Sequence, residues 1–155
     1  MSRTTPLLFC LLLLVGCGAE TAPEPPTPPA PPPVEPVELA EALPASLLGR
    51  DRQSLDASAQ AALGAEVTKA AAEYGEVTVA LTDFQTLEMA RMMGYAGLAA
   101  SDERYLGHPV ERSQAANSAA TSLLIGNRVL VEVTAASPED ADAALAELDL
   151  AALRR

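Results

Sequence analysis

Residues 43–155 of this 155-residue chain predict an α+β domain, an antiparallel sheet with two helices on one face, and three observations carry that prediction. Gly126 and Asn127 make a hairpin-turn dipeptide between two apolar stretches, Ala119 to Ile125 and Arg128 to Thr134. Ser137, Pro138, Glu139 and Asp140 supply an N-cap, a first-turn proline and acids at the positive end of a helix dipole. The same order of strand, connection and helix recurs 52 residues earlier, as a duplicated strand-strand-helix unit would.

Leu43 and Pro44 lead into the domain, and Gly49 to Leu55 reads as a first strand. From Leu55 to Tyr74 two readings compete. Alanine favours helix, with Leu55, Ala59, Ala62, Leu63, Val67, Ala70, Ala71 and Tyr74 on one side and Gly75 as a C-cap. The 52-residue offset instead lays Val67 to Tyr74 over Ala119 to Gly126, and pairing then outweighs alanine's preference, so a strand is expected from about Val67. Val77, Val79 and Leu81 alternate with Thr78, Ala80 and Thr82, the period of a strand. Met89, Met92, Met93, Ala96 and Ala100 follow at helical spacing, and His108 to Gln114 reads as another strand. Val129, Val131 and Val133 alternate with Leu130, Glu132 and Thr134, which puts the valines on one face. The last helix carries Ala141, Ala144, Leu145, Leu148 and Ala152 as one apolar stripe, and Arg154 and Arg155 complement its C-terminus. Neither copy buries its apolar face alone, so both helices are expected on one face, with Met89, Met92 and Met93 meeting Leu145 and Leu148.

The N-terminal region places the protein rather than shaping it. Arg3 followed by the apolar run Leu7 to Val15 has the form of a secretory signal, well short of the roughly 20 apolar residues of a transmembrane helix. Leu14, Val15, Gly16 and Cys17 resemble the lipobox of bacterial lipoproteins. The resemblance implies that residues 1–16 are a signal peptide, that the Cys17 thiol receives lipid, and that a membrane of the cell envelope holds the protein. Gly18 stands where the retention signal of enteric lipoproteins has aspartate, which favours the outer membrane. Each buried methylene contributes about 0.8 kcal/mol, and two acyl chains already anchor stably. Cys10 leaves with the signal and Cys17 is consumed, so no thiol remains for a disulfide, a thiolate metal site or a nucleophile.

Residues 17–42 read as the lipidated cysteine and a proline-rich linker. Ala19 to Val37, with its run Pro31, Pro32, Pro33, lacks the donors and the φ freedom for helix or internal sheet. At about 3.1 Å per residue in polyproline II, such a spacer reaches roughly 60 Å. The formal net charge is −11, one unit more negative once Arg3 is removed. That surface is repelled by phosphate, so nucleic acid is not an expected partner and attachment falls to the acyl chains.

Neither a catalytic motif nor a cofactor or metal site emerges. His108, the only histidine, lies between Gly107 and Pro109 in a loop-like setting with no Gly-x-Ser-x-Gly turn in the chain. Met89, Met92 and Met93 offer thioethers of the kind that select Cu(I). Their spacing is nevertheless that of the apolar stripe, with Glu88 and Arg91 opposite, so core packing is the expectation. Asp83, Asp102, Glu103, Glu139, Asp140 and Asp142 show no calcium-loop spacing, and those near helix starts have duty as caps and dipole partners.

Over roughly Leu43 to Leu153 the order of elements resembles small uncharacterised bacterial envelope proteins. That resemblance implies an antiparallel sheet bearing helices and brings no activity. The expectation is therefore a lipid-anchored envelope protein whose domain works by binding or assembly, with another envelope protein as partner. An envelope hydrolase and a Met/His copper-binding protein remain as rival classes. An open strand edge would favour the first, a cleft with a perturbed carboxylate the second, and three sulfurs converging near His108 the third.

Overall fold

The computed structural model describes residues 32–154, so the stretch read as a signal segment, Cys17 and most of the stretch read as a proline-rich linker lie outside the described residues. Period-two alternation dominates the domain. After helix α1 (Pro36–Glu41) come a small hairpin, β1 (Ser46–Leu47) and β2 (Arg50–Asp51), and then three long strands, β3 (Ser54–Ala62), β4 (Ala65–Tyr74) and β5 (Val77–Asp83). A kinked helical segment crosses to the far edge of the sheet, built of α2 (Leu87–Ala90), a wide π turn (Arg91–Tyr95) and α3 (Ala96–Ala99). The chain closes with β6 (Arg104–Tyr105), β7 (His108–Ala115), β8 (Ser118–Ile125), β9 (Val129–Ala135) and α4 (Pro138–Glu147). Seven strands form one antiparallel sheet in the order β3-β4-β5-β9-β8-β7-β6.

The strand expected from Val67 is present, and the alanine-rich stretch before it is strand as well, since Ala57, Ala59 and Ala61 pair with Ala70, Thr68 and Glu66. Ladder hydrogen bonds and the adjoining sheet override the modest helical preference of alanine. Gly49 to Leu55, read as one strand, is instead divided between the turn and second strand of the small hairpin and the start of β3. The closing helix starts where its cap signals put it, with the Ser137 side chain accepting from the Asp140 N–H. It stops at Glu147, so Ala152 lies beyond it and not on its stripe.

The helix that shares a core with α4 is α1 and not the methionine-bearing helix that the sequence suggests. Ala141, Ala144 and Leu145 of α4 pack with Val79, Leu81, Leu123 and Val131, and Leu39 and Ala40 of α1 belong to the same core. Met89, Ala90 and Leu98 pack with Val67, Leu124 and Leu130 in a second cluster. Leu130 and Val131 are neighbours on one strand and point to opposite faces, so the methionine-bearing helix covers the face opposite α4. The expected meeting of Met89, Met92 and Met93 with Leu145 and Leu148 does not occur. Packed structure also begins before Leu43, because α1 falls within residues read as linker and buries Leu39 and Ala40. Pro36 is tolerated there because the first helical turn has no use for its missing N–H.

The 52-residue offset can be followed along the central pair of strands. Across the central β5-β9 pair, Ala80 faces Glu132, while Val79 faces Val133 and Leu81 faces Val131. A 52-residue shift exchanges the last two pairs and leaves the first in place, a local two-fold normal to the sheet. The offset then fails by one residue at the preceding strand. Tyr74 and Val77 flank a two-residue turn, whereas Ile125 and Val129 flank three, and the additional residue is Arg128. A shift of 52 would lay Ala72 on Leu124, which faces the other way. A shift of 51 lays Ala72 on Leu123 and Tyr74 on Ile125, all four in the core beneath α4.

Candidate functional site

Asp83 ends β5 with its side chain fully buried, and four donors converge on it. Arg128 Nε gives 2.7 Å to Oδ1 and Arg128 Nη2 gives 2.7 Å to Oδ2, a bidentate pair. The Gln85 N–H donates to Oδ1 at 2.9 Å and the Val34 N–H to Oδ2 at 3.0 Å. Arg128 Nη2 also donates to the Pro32 carbonyl at 2.6 Å, so the pair closes over the first described residues of the chain. Burial by itself would raise the Asp83 carboxyl, but the Arg128 hydrogen bonds and the two N–H groups outweigh it and hold the acid below the usual carboxylate range. Those hydrogen bonds raise Arg128 further.

Local structure explains how these groups meet. Arg128 is the additional residue of the β8-β9 turn, where its N–H donates to the Ile125 carbonyl and its carbonyl accepts from the Phe84 N–H. The Asp83 carboxylate caps a tight turn through Gln85, whose φ is +64°. Thr86 then caps α2, its hydroxyl accepting from the Met89 N–H. The position 52 residues on is Ala135, which cannot make such a turn. One acid thus helps to seat the chain at Val34 and caps the turn that leads into the methionine-bearing helix.

His108 opens β7 and its Nε2 lies 2.8 Å from Arg154 Nη2. Burial lowers its proton affinity and the guanidinium lowers it further, and His108 stands beside a cation rather than a hydroxyl. The three methionines are separated. Met89 is buried with Ala90 and Leu98, while Met92 and Met93 are 55% and 38% exposed on the π turn. Gly94, at φ +103°, breaks the helix there and ends the stripe. Core packing therefore holds for Met89 alone.

The remaining carboxylates have structural partners or face solvent. Arg112 reaches both Glu103 and Asp142, with Nε 3.1 Å from Asp142 Oδ1, and Asp142 also accepts from the Thr121 hydroxyl at 3.2 Å. Glu139 and Asp140 stand in the first turn of α4, and Asp102 is exposed. Sequence reasoning did not single out Glu132. It sits half-buried at the local two-fold, and burial pushes its carboxyl up against the opposing pull of Tyr95 and Lys69. Its outward place in the valine alternation gave no hint, because the cover comes from the helical segment that carries Tyr95.

A cavity of about 240 Å³ lies between α1 and the C-terminal segment, with Leu39, Val129 and Leu153 among its apolar walls and Glu38 and Glu41 among its lining residues. Among the described residues no three His, Cys, Asp or Glu side chains are grouped as a metal site would require, and no helix is long and apolar enough to cross a membrane. No protein-family model, curated protein or solved structure matches the chain.

Proposed function

We propose that the chain is a lipid-anchored protein of the cell envelope, held to a membrane, with the outer membrane favoured, by acyl chains on Cys17. Its domain works by binding or assembly with another protein of the envelope rather than by catalysis. The lipobox Leu14 to Cys17, Gly18 after it and the proline-rich linker support the anchor. The observation that carries the reading is the Asp83–Arg128 pair. It is the most buried ion pair among the described residues, and it grips Pro32 and Val34 at the point where the tether enters the domain. Such a clamp orients the domain on its tether, which an assembly module requires.

The hydrolase and copper readings gain less. His108 stands against a guanidinium, which disfavours both a general base aimed at a hydroxyl and a bound cation. The methionines split between core and surface. We further read β3-β4-β5 and β7-β8-β9 as copies of one ancestral unit, supported by the two-fold register about Ala80 and Glu132 and by the Arg128 insertion that accounts for the shift beyond it.

Detergent-phase partitioning of the Cys17→Ala chain tests the anchor. The parent chain should enter the detergent phase and the variant should not, while its domain stays folded. Retention of the variant with membranes at high salt would overturn the lipid reading.

A further inference from the structure

The two ends of the sheet are defended very differently. At one end Pro109 lies in β7, β6 pairs with its first residues, and Glu111 and Arg112 come next, all of which discourage strand addition. At the other end β3 runs nine residues in unbroken register with β4, and among the described residues no strand pairs with its outer side. It contains no proline, no lysine and no bulge, and Asp56 is its one charge. In a chain of net charge −11, that is an unusually neutral edge.

The strand is also symmetric in polarity about Ser58. Leu55, Ala57, Ala59 and Ala61 point to the face of α1, and Asp56, Ser58 and Gln60 point to the other. Of the large apolar side chains exposed among the described residues, Leu55 belongs to β3, Leu63 to its turn, and Val37 lines a groove with Leu55 and Ala57. We infer that β3 is the interface for a second copy of this chain, the two edges pairing antiparallel across a two-fold at Ser58.

In that register Leu55 faces Ala61, Ala57 faces Ala59, and Ser58 faces its own counterpart. Asp56 faces Gln60, so no like charges oppose each other, and an amide donor meets each carboxylate. The two-fold is normal to the sheet, so both copies of α1 lie on one side of the joined sheet. Val37 and Leu55 of each copy are then brought towards the seam. This inference rests on the assembly reading above and names the partner.

Cysteine at the centre of the proposed seam tests it in the full chain within its native envelope. Ser58→Cys should give a disulfide-linked dimer on mild oxidation, and neither the parent chain nor Ser113→Cys on the β7 edge should do so. Two single changes then probe the register at an exposed position. Gln60→Asp sets Asp56 against a second acid twice per dimer and should lower the crosslinking yield at least severalfold. Gln60→Lys sets Asp56 against a cation and should raise it, while Gln114→Lys on the opposite edge should change nothing. Equal responses to Gln60→Asp and Gln60→Lys, or a dimer through Ser113→Cys, would overturn the inference. So would a Ser58→Cys chain that stays monomeric or links to a different protein; the last result would leave the assembly reading intact.

Discussion

Asp83 and Arg128, 45 residues apart, meet through two parallel hydrogen bonds of 2.7 Å, with the carboxylate fully buried and the guanidinium nearly so. Geometry of this quality, with the remaining lone pairs taken by the Val34 and Gln85 N–H groups, lets attraction outweigh the cost of removing both charges from water.

Removing one partner should therefore be severe. Arg128→Ala leaves a buried carboxylate without its counterion and should cost about 3–5 kcal/mol. The double variant Asp83→Asn with Arg128→Met should be less damaging than Arg128→Ala alone. Urea unfolding of the parent and the two variants measures this, and a double variant at least as unstable as Arg128→Ala would show that the buried carboxylate does not depend on its counterion.

Acid should release the clamp. Asp83 has its folded-state value depressed below the ordinary 3.8, so its contribution is complete above that pH and is lost as pH falls through the lower folded value. Glu132 works in the opposite sense. Burial raises it, so its charge opposes folding at neutral pH, and that penalty disappears as pH falls below the ordinary 4.5. Denaturation midpoints from pH 7 to pH 2 should show Asp83→Asn with a flatter acid limb. Glu132→Gln should be more stable than the parent at pH 7 and indistinguishable below about pH 4.

Val131 is fully buried at the centre of the sheet, facing both Leu81 and Leu123. Val131→Asp should cost several kcal/mol, because an unpaired carboxylate there must either be desolvated or take up a proton. Glu132→Asp, one position along, should cost much less, and similar melting shifts for the two would contradict the face assignment.

Leu63 occupies the turn between β3 and β4 at φ +50°, with 65% of its surface exposed. A left-handed conformation costs an L-residue about 1–2 kcal/mol, and asparagine tolerates it better. Leu63→Asn should raise stability by about 1 kcal/mol in urea. An unchanged midpoint would show that the leucine compensates through contacts along the turn.

Leu63-Gly64 is one of three hairpin turns with the same dipeptide, alongside Leu48-Gly49 and Leu106-Gly107, each with positive φ at both residues. The repeat of the dipeptide stands in the sequence, but the reading of Gly49 as a strand start passes over it; it marks the ends of β1, β3 and β6 that periodicity alone did not locate. The Asp83 site was not legible. Nothing near Asp83 in the chain announces Arg128, and a lone acid at a strand end looks like many others.

By itself the sequence determined what depends on neighbours: the valine alternation of β9, the Gly126-Asn127 turn, the Ser137 cap and the like order of strand and helix in the two halves. Only the tertiary structure decided which side of the sheet each helix takes. That choice comes from the turn that Asp83 caps after β5, where the position 52 residues on is Ala135, while the one residue by which the second hairpin is longer, Arg128, sets which residues of β4 and β8 correspond. A shift of one residue leaves the pattern of a strand intact while turning every side chain to the other face. Tertiary packing likewise brought α1 into the core, because Leu39 and Ala40 meet apolar surface on β3 and β4 that no local signal in a proline-rich stretch reveals.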